Sequence, residues 1–71
     1  MRIVRQDNVN QTQKVVAQGL TSEQAGKKAV QLAQVACMTM PNEPRVWPCG
    51  PDAIGVYIGI YKMYTFSIEA E

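Results

Sequence analysis

Thr21 and Gln24 stand three positions apart at the head of an alanine-rich run, GLTSEQAGKKAVQLAQ over Gly19–Gln34, and this spacing constrains the chain more than any other feature. A threonine there accepts the backbone N–H of Gln24 while the Gln24 side chain reaches back to the threonine N–H, the reciprocal pairing of a capping box, with Leu20 as the apolar residue just outside. The pattern predicts a helix over 22–37 that begins at Ser22. Ala25, Ala29, Leu32, Ala33 and Ala36 recur at helical spacing and Gly26, Val30 and Cys37 widen that stripe, with Gln24, Lys27, Lys28, Gln31 and Gln34 opposite. Small residues let a helix approach its neighbour closely. Leu32 is then the one large anchor, and Gly26, which costs helix propensity, marks a close contact. Val35 projects from the polar side.

Four prolines at 41, 44, 48 and 51, together with Gly50, stop that helix, so 38–53 reads as a loop. Loops this long without regular structure are uncommon in compact domains and often functional. Trp47 lies inside it, either folded back as a lid on a thin core or exposed as a contact.

The rest of the chain has strand character. Arg2–Gln6 and Thr12–Ala17 carry β-branched residues on either side of Asp7, Asn8, Val9 and Asn10, which predicts a hairpin over 2–17 with a connection longer than a two-residue turn. From Ile54 the even positions are apolar (Ile54, Val56, Ile58, Ile60, Tyr64, Phe66, Ile68) and only Lys62 interrupts them. Period two predicts strand over 54–69, as one long bent strand or two pieces joined at a bulge near Lys62. The opposite parity holds Gly55, Tyr57, Gly59, Tyr61, Met63 and Thr65. Glycine there either makes room for tyrosine rings lying on the sheet or leaves an aromatic face for a ligand, a partner or a second copy. The fold expected is α+β: a three- or four-stranded antiparallel sheet, ordered ββαβ(β), packed against one helix in a single domain.

Composition narrows the function. Seven Lys and Arg against six Asp and Glu give a formal charge of +1, which supplies no general attraction for nucleic acid or an anionic membrane, so direct nucleic-acid binding is not expected. No apolar run is long enough to span a bilayer and the first residues lack a signal-peptide pattern, so the expected compartment is the cytoplasm. Cys37 and Cys49 without histidine are too few ligands for a structural zinc. A bridge between them would close the Pro-rich segment and add roughly 3 kcal/mol on the loop-entropy model, but a reducing compartment favours free thiols. The carboxylates are scattered, Glu23 is explained by its place in the first helical turn, and no nucleophile has a base. Neither an enzyme nor a metal or cofactor site is expected.

The stretch Arg2–Leu32, with RIVRQDN, KVVAQGL and then TSEQAGKKAVQL, resembles the opening of small bacterial and phage ββαβ proteins of SPOR-like type. The likeness covers under half the chain, and the Pro-rich segment and GVYIGIY depart from it. It implies a hairpin leading into an alanine-rich helix and a final strand, with a sheet face that in true SPOR domains binds peptidoglycan glycans. The size and layout also look like those of small phage anti-CRISPR proteins, which act by covering a surface of an effector complex; that likeness carries no residue over.

The expected function is therefore a non-enzymatic interaction protein of a phage or mobile element that binds and modulates a host protein or nucleoprotein complex. Arg45, Trp47, Tyr57 and Tyr61 are the candidate partner-binding residues, because aromatic and arginine side chains dominate binding energies. Homodimerisation through the last strand is the competing use of that surface, and a small glycan- or nucleotide-binding module using the tyrosine face is the alternative.

Overall fold

The computed structural model describes all residues from Met1 to Glu71. Its elements run β1 (Arg2–Asp7), β2 (Thr12–Ala17), α1 (Ser22–Met38), β3 (Arg45–Gly50), β4 (Ala53–Ile58) and β5 (Tyr61–Glu69). The strands form one antiparallel sheet in the order β2-β1-β5-β4-β3, and α1 packs on one face of it. The α+β class is as expected, but the sheet has five strands rather than three or four. No helix is long and apolar enough to cross a membrane.

The helix begins as its capping box dictates. The Gln24 N–H donates to Thr21 Oγ1 at 3.1 Å and the Thr21 N–H donates to Gln24 Oε1 at 3.0 Å. Ala25, Ala29 and Ala33 lie one turn apart and are completely buried; Ala29 and Ala33 pack with Ile3, Val56 and Phe66 as the centre of the core. Alanine at these positions brings the helix axis close to the sheet, so the larger side chains of the strands supply the volume. Leu32 is only half-buried at the margin of this cluster, and the fully buried large side chains are Ile3 and Val56. Gly26 marks no close contact: a β-carbon built there would meet nothing within 4 Å.

The first hairpin forms over the expected residues. Asp7 organises its turn, Oδ1 accepting the N–H groups of Val9 and Asn10 at 3.0 Å each and Oδ2 accepting from the Asn10 side-chain amide at 3.0 Å. Gln11 completes the reversal with a left-handed φ of 56°. These bonds favour the ionised carboxylate and, with Asn10 foremost, hold Asp7 below its ordinary pKa.

The other half of the sheet differs from the sequence expectation in two ways. The Pro-rich segment is not all loop, because Arg45–Gly50 forms β3 on the edge of the sheet, paired only with β4. An edge strand keeps one side of its backbone unpaired, so Pro48, which has no N–H to give, fits there. The stretch from residue 54 to 69 is neither one bent strand nor two collinear pieces. The chain reverses at Gly59–Ile60, with Ile58 opposite Tyr61. Gly59 has φ +60° and Ile60 does not share that left-handed angle, the pattern of a type II′ turn with glycine at its first central position. An irregularity near Lys62 does occur: Val56 pairs with Tyr64 and Tyr57 with Lys62, leaving Met63 as a bulge residue whose carbonyl accepts the Asn8 N–H at 2.9 Å.

Candidate functional site

The pairing register decides what stands on the face that α1 leaves open. Val56, Tyr64, Phe66 and Ile3 point to the helix, so their neighbours Gly55, Tyr57, Thr65, Val4 and Gln6 point away from it. Across the edge strand, Arg45 lies opposite Tyr57 and Trp47 opposite Gly55, which sets both on the open face. One cross-strand row therefore reads Arg45, Tyr57, Lys62, and the next reads Trp47, Gly55, Thr65, Gln6.

Tyr57 is held in a defined position within this grid. A β-carbon on residue 55 would lie 2.6 Å from Tyr57 Cε2, so the ring covers the bare backbone of Gly55 and leans toward the row of Trp47. Trp47 itself is 69% exposed. An open hollow is lined by Arg45, Val46, Trp47, Tyr57, Gly59 and Ile60, with Ile60 89% exposed on the turn. Neither the guanidinium of Arg45, the indole N–H of Trp47, the hydroxyl of Tyr57 nor the ammonium of Lys62 has a hydrogen-bond or ion-pair partner within the chain.

Of the residues expected to bind a partner, Arg45, Trp47 and Tyr57 thus come together, and Tyr61 does not join them. Tyr61 opposes Ile58, whose parity is that of the helix side, so it stands exposed at the hairpin tip on the other side of the sheet from Tyr57. Lys62, expected only as one of several solvated cations and as the place of a bulge, and Ile60, expected only as a strand residue, stand beside the three. The signal for Lys62 was its interruption of the apolar even positions, which marks the place where the alternation has changed phase.

Elsewhere, several charged groups are engaged within the chain. Asp7 holds the hairpin turn, Glu23 pairs with Lys27 at 3.4 Å, and Glu69 meets Arg2 at 3.1 Å. No three His, Cys, Asp or Glu side chains gather as a metal site. Arg5 lies on the helix side with its guanidinium carbon 5.9 Å from the centre of the Tyr64 ring. Cys37 and Cys49 are not joined, and burial pushes the Cys37 thiol up, away from thiolate reactivity.

Comparison with protein-family models, with curated proteins and with solved structures gave no match to this chain.

Proposed function

We propose that this chain is a non-enzymatic binding protein that docks its Arg45–Trp47–Tyr57 surface on a larger macromolecular complex and so inhibits or modulates it, as small phage-encoded inhibitors do. The observation that carries this reading is the exposed Trp47 beside Tyr57 and Arg45, all on one sheet face and all with unspent hydrogen-bonding groups. A large aromatic side chain left in water on a small domain costs apolar hydration that a partner would recover, and Trp, Tyr and Arg are the residues on which binding energy concentrates. Nothing comparable converges elsewhere on the molecule.

Affinity capture from a lysate of the native host, with the partner identified by mass spectrometry, tests the reading. A stoichiometric partner retained by the wild type and lost from a folded Trp47→Ala, Tyr57→Ala variant supports it. Retention of the same partner by that variant overturns the assignment of the surface. A second reading, a small glycan or nucleotide seated in the hollow bounded by Trp47, Tyr57 and Ile60, predicts saturable quenching of Trp47 fluorescence by the small molecule alone.

A further inference from the structure

The net charge of the whole chain conceals a separation that the sheet creates. Among strand residues, Arg2, Arg45, Lys62 and Glu69 stand on the open face, whereas Arg5, Asp7 and Lys14 stand on the helix side. The open face therefore holds three cations and one carboxylate, a surplus of two, and that single carboxylate is already engaged by Arg2 at 3.1 Å. The remaining four cations and five carboxylates sum to −1 in a chain of formal charge +1, so all of the positive excess lies on the face that carries Trp47 and Tyr57.

The placement within that face is specific. Arg45 and Lys62 flank Tyr57 in one cross-strand row, separated by two strand spacings, about 10 Å, with the exposed indole of Trp47 in the adjacent row. Thr65, Gln6 and Asn8 continue the open face toward β1, Asn8 donating to Thr65 Oγ1 at 3.1 Å, so no carboxylate interrupts the path in that direction. Glu43, in the loop before β3, is the carboxylate closest in sequence to the patch, and it stands outside the sheet. Two cations about 10 Å apart, on either side of Tyr57 and beside the exposed Trp47, match a ligand that carries several negative charges along its length with flat apolar groups between them. A folded protein surface offers the first only irregularly. A duplex hides the second.

We infer that the partner component that meets this face is a single strand of nucleic acid, its phosphates on Arg45 and Lys62 and its bases on Trp47 and Tyr57. The inference rests on the reading of this face as the contact surface and names what it contacts. With two phosphate contacts and two stacking rings the site covers only a few nucleotides, so the isolated chain binds weakly and gains affinity inside a nucleoprotein complex that supplies further contacts.

The test is fluorescence anisotropy of a labelled oligothymidylate of about fifteen nucleotides titrated with the full chain at about 50 mM salt, beside a duplex of equal length. The expected result is saturable binding of the single strand in preference to the duplex, with quenching of Trp47 fluorescence. Two phosphate contacts on a single strand give a slope of about −1.4 for log K against log salt. Trp47→Ala should weaken binding at least about fivefold, since stacking of one base carries that much. Lys62→Gln should weaken it and flatten the salt slope, while Lys27→Gln with Lys28→Gln on the helix should leave both unchanged. Absence of saturable binding, preference for the duplex, or binding that Trp47→Ala does not alter overturns the inference. If the oligonucleotide fails while the captured partner still depends on Trp47 and Tyr57, the face is a protein-docking surface and only the nucleic-acid assignment falls; if neither binding depends on those residues, both fall.

Discussion

The ring of Tyr57 rests on the backbone of Gly55, close enough that a β-carbon at residue 55 would come within 2.6 Å of Cε2 and 3.0 Å of both Cζ and the hydroxyl oxygen. This contact positions the ring beside Trp47, which faces Gly55 across the β3–β4 pair. Glycine at 55 is therefore a positioning residue for the candidate surface.

Gly55→Ala should displace the Tyr57 ring while the sheet persists, because the atoms in the way belong to the far end of a side chain that can rotate. Because the ring can move on the open face, the expected stability change is within about 1 kcal/mol. Partner or oligonucleotide binding should fall as it does in Tyr57→Ala. Near-ultraviolet circular dichroism and thermal unfolding check the two halves separately, and an unchanged aromatic spectrum would refute the displacement.

The core is anchored from the strands. Ile3 is fully buried against Ala29, Ala33, Val56 and Phe66, whereas Leu32 is half-buried at the edge of that cluster. Ile3→Ala should cost about 2–5 kcal/mol, and Leu32→Ala clearly less. Urea unfolding of the two variants side by side decides it, and an equal or larger cost at Leu32 would contradict this account of the core.

At Gly26 the helix pays a propensity cost with no packing return. The site is free of neighbours within 4 Å and has ordinary helical geometry. Gly26→Ala should stabilise the protein by roughly 0.5–1 kcal/mol. For a domain of this size that raises Tm by about 2–8 °C, read by calorimetry.

Residue 59 distinguishes a reversal from a continuous strand. With φ +60°, Gly59→Ala puts a side chain in left-handed backbone and should cost about 1–2 kcal/mol. In an extended strand the same substitution would be neutral or favourable, so a stability gain in urea would argue against the turn.

The first hairpin should weaken in acid. Asp7 has a folded pKa below its ordinary 3.8, because the N–H of Asn10 above all, then the Asn10 side chain, and also the N–H of Val9, favour the carboxylate. A depressed carboxylate contributes stability that is fully present above the unfolded pKa and is lost as pH falls through the folded one. Asp7→Asn removes this dependence, so the wild type should lose more stability than the variant as pH falls below about 4. Parallel denaturant titrations at stepped pH measure the difference, and superimposable acid limbs would refute it.

Much of the architecture was legible because it is written in neighbouring residues. The Thr21–Gln24 capping box needs only three residues of separation, and the Asp7 turn closes within the sequence Asp7–Asn10, so the first hairpin and the helix stand where the sequence indicated. The region from 54 to 69 misled for a specific reason. A two-residue turn at Gly59–Ile60 shifts the alternation by one, and the bulge at Met63 shifts it back, so the apolar residues at even positions before and after both face the helix. Two phase changes that cancel look like none. Only Lys62 and Tyr61, which lie between them, show the shift: Lys62 joins the face of Tyr57 and Tyr61 leaves it.

The helix, the first hairpin and the strand character of the final segment follow from neighbouring residues alone, because capping bonds, Asx turns and period-two alternation act over a few residues. Tertiary structure alone decided that a proline-containing segment becomes β3, since only a place on the sheet edge makes the missing N–H of Pro48 harmless. It also decided the candidate site. Arg45, Trp47, Tyr57 and Lys62 share one face through pairings between three strands, and register across strands is a property of the assembled sheet that no local spacing encodes.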